Sequence, residues 1–153
     1  MPNKLLTLVL AVLLFAPGAP IRSASWSETD TDLALSEDEI AGILFVREEE
    51  KLARDTYILL FDQWGNNIFA NIAKSEQQHM YAMKVLLDQY GLDDPVQEGT
   101  EDEMPVGVFV DPYLQTLFDA LIARGKRSPL EALYVGAHIE EVDITDIEEW
   151  IDS

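Results

Sequence analysis

Three rows of apolar residues, stepping alternately three and four positions, run through the chain beyond residue 35. The first is Ile43, Val46, Glu50, Ala53, Tyr57, Leu60 and Trp64. The second is Phe69, Ile72, Glu76, His79, Met83, Leu86 and Tyr90, and the third is Leu130, Leu133, Ala137, Glu140, Ile144, Ile147 and Ile151. That rhythm belongs to helices packed side by side in a bundle. Each row is apolar except at Glu50, Glu76, His79 and Glu140, which fall near the middles of their helices.

Local signals set the boundaries. Ser36 and Glu39 form a capping box, with Leu35 and Ile40 as its hydrophobic staple, so the first helix starts there. It should run to about Gln63, where Gly65 supplies a left-handed stop. The short turn Gly65-Asn66-Asn67 makes the next helix, to about Tyr90, an antiparallel neighbour. Residues 91–111 read as a long acidic loop with Pro95 and Pro105, holding a short extended stretch at Val106–Val110. Asp111-Pro112 opens a small amphipathic helix with Leu114, Leu117, Leu121 and Ile122 on its apolar side, ended by Gly125. Ser128-Pro129-Leu130-Glu131 is a second capping box and starts the last helix, to about Asp152. No repeat and no strand pair stands out, so the fold class is all-α, a helical bundle.

The first 25 residues differ in kind. Lys4, the apolar run Leu5–Ala16, the break Pro17-Gly18-Ala19-Pro20 and the small residues Ser23-Ala24-Ser25 have the layout of a secretory signal peptide. The run is shorter than the roughly 20 residues that span a bilayer. The expected organisation is a signal peptide at 1–25, a flexible lead-in at 26–35 and the helical domain at 36–153. The mature protein is then secreted or extracytoplasmic, off the membrane. A net charge of -19 disfavours nucleic acid and anionic lipid as partners. The absence of cysteine excludes disulfides and thiolate metal sites.

Carboxylates and imidazole remain as metal ligands. A buried, unpartnered carboxylate is costly, so three helices with an acid at mid-row point to a bound cation. Glu76 and His79, three apart, share a helix face and can converge on one ion. A Glu from one helix with Glu-x-x-His from another is the ligand pattern of ferritin-like carboxylate proteins. The candidate ligands are Glu50, Glu76, His79 and Glu140, with Asp143, three beyond Glu140, as a further candidate. The expected cofactor is a bridged pair of iron ions, with manganese or zinc as alternatives. A blander reading pairs Glu50 with Arg47 and Arg54 on its own helix, worth about 0.3–0.5 kcal/mol. Glu48 and Glu49 turn away from the row, His138 and Glu141 read as surface, and Tyr57 and Tyr90 as core filler. Glu98 to Glu103 fits no EF-hand spacing and reads as a solvated loop.

Three stretches carry a resemblance: Ile40-Ala41-Gly42 through Arg47-Glu48-Glu49-Glu50-Lys51-Leu52-Ala53-Arg54-Asp55, Ser75-Glu76-Gln77-Gln78-His79-Met80, and Gly136-Ala137-His138-Ile139-Glu140-Glu141-Val142-Asp143-Ile144. Over roughly residues 36–152, including Gly107-Val108-Phe109, the chain resembles an uncharacterised ferritin-like family, domain of unknown function 2202. Glu50, Ala53 and Tyr57 are also similar to the first helix of rubrerythrins, which implies that Glu50 is the ligand among three consecutive glutamates. The resemblance implies a four-helix bundle around a carboxylate-bridged metal pair, and no particular reaction. Relatives continue into another long helix with inward polar residues, including a histidine. Here the sequence stops at Ser153, and the 112–124 helix carries no inward acid or histidine. The expected bundle therefore lacks its last helix, and a homo-oligomer is expected to cover the exposed face of the helix that starts at Pro129. The functional expectation is a di-metal protein with oxygen- or peroxide-dependent ferroxidase or oxidoreductase activity. Its alternatives are a non-catalytic metal binder, a metal-free scaffold, or an inactive truncated fragment.

Overall fold

A computed structural model describes residues 35–152, leaving aside the side chains of 143, 144 and 146–152. The signal-peptide and most of the lead-in assignments lie outside the described residues. Four helices follow one another: α1 (Glu37–Trp64), α2 (Asn67–Tyr90), α3 (Pro112–Gly125) and α4 (Pro129–Asp152). The described residues contain no strand. None of their helices is long and apolar enough to cross a membrane.

The first capping box and the glycine stops read from the sequence are present. Ser36 Oγ accepts from Glu39 N at 3.1 Å, and Glu39 Oε2 accepts from Ser36 N at 2.8 Å. Gly65 and Gly91 end α1 and α2 at φ 64° and 65°, the left-handed conformation that glycine adopts without strain. Asn66 and Asp111 cap α2 and α3 through their side-chain oxygens. At the start of α4 only half of the second box forms: Ser128 Oγ accepts from Glu131 N, while the Glu131 side chain accepts from Arg124.

α1 is the central element. α2 packs antiparallel along it, and α3 and α4 pack on it and on each other. Among the described residues α2 and α4 make no close approach, so a groove separates them. The apolar core falls into two clusters. Ile43, Val46, Met83, Leu86 and Leu87 join the start of α1 to the end of α2. Leu52, Ala53, Tyr57, Leu60, Phe69, Leu114, Phe118, Leu121, Val135 and Ile139 join the second half of α1 to the other three helices. Each fully buried large side chain contributes about 1.5–3 kcal/mol. A polar layer around Arg47, Glu50 and Glu76 lies between the clusters.

Three expectations are corrected. First, α1 is buried at every position from 46 to 57, not along one stripe. The 91–111 loop covers the face that would otherwise meet water. Second, α4 buries Ala132, Val135, Gly136 and Ile139, while Leu130 and Leu133 are 59% and 44% exposed. Of the row read as its buried seam, Leu133, Ala137 and Glu140 line the groove, because α4 meets α1 and α3 through the adjacent face. Third, residues 106–110 form a turn at 106–107 and a bend at 110 rather than an extended stretch. Gln115 fixes them by accepting from Phe109 N and donating to Gly107 O.

The charges buried on the back of α1 bind the loop. Arg47 makes a two-bonded pair with Asp94 at 3.0 and 2.9 Å, and also donates to Glu98 and to Met80 O. Lys51 Nζ donates to Asp55 at 2.5 Å and to the carbonyls of Pro105 and Val108. Glu48 Oε2 accepts from Val110 N and Asp111 N, and Asp55 Oδ2 accepts from Gly107 N. Desolvated charges persist only when paired in this way.

Candidate metal centre

Glu50 projects from the middle of α1 toward Glu76 and His79 on α2. The three residues each offer one ligand atom, and these atoms all lie within 4.8 Å of one another. His79 Nδ1 is 2.9 Å from Glu76 Oε2 and 3.3 Å from Glu50 Oε2. The first contact is a hydrogen bond. The second is an ion-pair contact only, and Glu50 Oε2 has no hydrogen-bond partner although it is buried. The Glu50 and Glu76 side chains are only 6% and 7% exposed, and His79 is 23% exposed.

In this cluster Glu50 and His79 hold on to protons. Burial is the largest influence on Glu50 and pushes it up to about 7; the nearby His79 pulls it back and Glu76 adds to the rise. The contacts with Glu50 and then Glu76 push His79 up to about 10, against the effect of burial. A cation would neutralise the same negative charge that these protons neutralise.

The residues fit a transition metal. The set is imidazole plus carboxylate, suited to iron, manganese or zinc. Donors bonded to one ion at about 2.0–2.2 Å lie roughly 3–4 Å apart, close to the 2.9 and 3.3 Å that separate His79 Nδ1 from the two carboxylates. The Glu50 oxygen that makes no hydrogen bond is an acceptor that a cation would satisfy.

Glu140 is placed differently. It lines the groove together with Glu76 and His79 but lies outside their 4.8 Å group. Its Oε1 accepts from Tyr57 Oη at 2.9 Å on the α4 wall. Three of the four ligand candidates thus come together, and the fourth stands across the groove. The Asp143 side chain lies outside the described residues. The groove has a volume of about 580 Å³, with Ile68, Ile72, Leu133 and Ala137 among its apolar walls.

The ion-pair reading of Glu50 meets a different arrangement. Arg47 is engaged by Asp94 and Glu98, and Arg54 by Asp55 and Gln77. Neither arginine pairs with Glu50. Glu98, read as solvated, is half-buried and bonds both Arg47 and Gln77. Glu48 and Glu49 do leave the row but are buried, Glu49 in a small cleft with His138, Leu117 and Leu121. His138 and Glu141 are exposed, as read. The i, i+4 spacing of Arg47, Lys51 and Asp55 is the sequence signal for the buried network.

An all-helical bundle with a buried carboxylate–imidazole cluster at mid-height is the class that fold and site define. The chain belongs to the family of the uncharacterised protein domain DUF2202, whose model matches residues 39–153. It is 47% identical over 117 residues to the uncharacterised protein MJ0754 of Methanocaldococcus jannaschii, covering 76% of this chain and 60% of that protein. The crystal structure of hypothetical protein MJ0754 from Methanococcus jannaschii DSM 2661 matches with a TM-score of 0.71 at 46% identity, covering 78% of this chain and 65% of that one. The chain therefore spans less than two thirds of the length of this relative.

Proposed function

We propose that this is an exported ferritin-like protein that binds a carboxylate-bridged pair of metal ions, iron first, with manganese or zinc as alternatives. The observation that carries the proposal is the meeting of Glu50, Glu76 and His79 in one buried cluster, with a Glu50 oxygen left without a hydrogen bond. Glu50 and Glu76, each with two oxygens, would hold and bridge the ions; His79 would ligate through Nδ1 after giving up its proton. Glu140 would serve the second ion from the opposite wall. Export rests on the signal-peptide layout of residues 1–25. The ferritin-like reading rests on the pairing of Glu50 on one helix with the Glu-x-x-His of Glu76 and His79 on the next.

Ferrous ions held there would supply electrons to dioxygen or peroxide, making oxidation of iron the activity. The protein's own part is to strip water from the carboxylates, fix the imidazole, and leave one open side through the groove. The test is the rate of Fe(II) loss in air-saturated buffer, followed optically. The full chain should oxidise Fe(II) faster than the free ion, and Glu50→Gln should return the rate to that of the free ion. A wild-type rate equal to that of the free ion contradicts the activity.

A further inference from the structure

We propose that Tyr57 is a positioning residue for Glu140, so that the centre loads in two unequal steps. The first ion goes to Glu50, Glu76 and His79, and the second depends on the Tyr57–Glu140 contact. This inference rests on the metal reading of the cluster.

Tyr57 is fully buried on α1, two turns beyond Glu50. Its hydroxyl reaches α4, where it is 2.9 Å from Glu140 Oε1 and 3.2 Å from Gly136 O. One hydroxyl proton serves both acceptors, and the carboxylate is the stronger. Gly136 makes this reach available. A Cβ there would lie 3.3 Å from Tyr57 Cε1 and 3.4 Å from its hydroxyl oxygen. The phenol therefore lies against bare α4 backbone, one turn before Glu140.

The consequence follows from what holds each ligand. Glu50, Glu76 and His79 are preassembled by α1–α2 packing and mutual contact. Glu140 is an exposed residue on a helix whose backbone makes no close approach to α2. An exposed glutamate samples many rotamers, and fixing it costs entropy. The Tyr57 hydroxyl restricts that freedom by engaging one oxygen, and the other remains for an ion. Outer-shell hydrogen bonds of this kind typically change metal affinity about 10–100-fold.

The test is Mn(II) titration of the full chain. Free Mn(II) is counted by electron paramagnetic resonance, and the spin-coupled signal of an ion pair is recorded at saturation. The wild type should bind two ions in separable steps. Tyr57→Phe keeps the ring and removes the hydroxyl. It should leave the first step unchanged, weaken the second about 10–100-fold and diminish the pair signal. Glu140→Gln should remove the second step, and adding Tyr57→Phe to it should change nothing more. Gly136→Ala, which displaces the phenol by a few tenths of an ångström, should weaken the second step in a protein with an intact Tyr57; it carries the test if Tyr57→Phe does not fold. Superimposable curves for wild type, Tyr57→Phe and Gly136→Ala overturn the inference while leaving the metal reading intact. A well-folded wild type that binds no Mn(II) overturns both.

Discussion

His79 Nδ1 stands 2.9 Å from Glu76 Oε2, one turn away on α2, and this contact ties the chemistry of the cluster to protons. At pH 7 His79, pushed up to about 10, carries its proton, and Glu50, pushed up to about 7, is partly protonated. A metal ion must displace both. The first ion should release between one and two protons at pH 7, and its affinity should climb with pH toward 10. Calorimetric titration with Mn(II) in buffers of different ionisation enthalpy counts the protons. An affinity that stays flat from pH 6 to 9 contradicts this assignment.

The same shifts govern the metal-free protein. Both groups have folded values above their unfolded ones. Their contribution to stability is complete at low pH; the Glu50 part is lost as pH rises from 4.5 through about 7, and the His79 part from 6.5 through about 10. Glu50→Gln removes the first loss and lessens the second. Thermal unfolding without metal, compared at pH 5 and pH 9, should show the difference between variant and wild type moving in favour of the variant. A difference that is constant or moves the other way counts against the buried placement of Glu50.

Arg47 holds the 91–111 loop on α1. Replacing it with methionine leaves Asp94 and Glu98 without their shared cation and should cost about 3–5 kcal/mol in denaturant unfolding. Burial pushes Asp94 up, but the bonds and charge of Arg47 outweigh it and hold Asp94 below its ordinary value. Its contribution is therefore present above its unfolded value and lost as pH falls through the folded one. In Arg47→Met that acid-side loss should disappear. A cost under about 1 kcal/mol indicates that the loop is held by other contacts.

Leu60 tests whether fold and site are separable. It is fully buried and packs against Gly125, ten residues and about 15 Å along α1 from Glu50. Leu60→Ala should cost about 2–5 kcal/mol. First-ion affinity, measured well below the unfolding temperature, should not change. Loss of that affinity together with stability means that the site depends on the whole core.

Much of this was legible in the sequence because it is local. Capping boxes, glycine stops and a seven-residue rhythm fix where helices begin and end, and the helix ends fall within a residue of the reading. Glu76 and His79 converge because residues three apart share a face, and Glu50 joins them because a two-residue turn forces α1 beside α2. Rotation of α4 was not legible. Its sequence carries two apolar faces, and periodicity does not say which one meets α1 and which borders the groove. That ambiguity separates Glu140 from the cluster. The buried charges of α1 were also hidden, since their partners, Asp94, Glu98 and the carbonyls of Pro105 and Val108, come from a loop far along the chain. A run such as Arg47-Glu48-Glu49-Glu50-Lys51 looks solvent-exposed until the segment that covers it is placed.

Metal analysis of the full chain, purified without an affinity tag and then offered Fe(II) without oxygen, tests the central claim most directly. Wild type should retain iron in stoichiometric amount after desalting, and Glu50→Gln with Glu76→Gln should retain only background in a protein that is still folded. A folded wild type that holds no stoichiometric metal, or a double variant that holds as much, contradicts it.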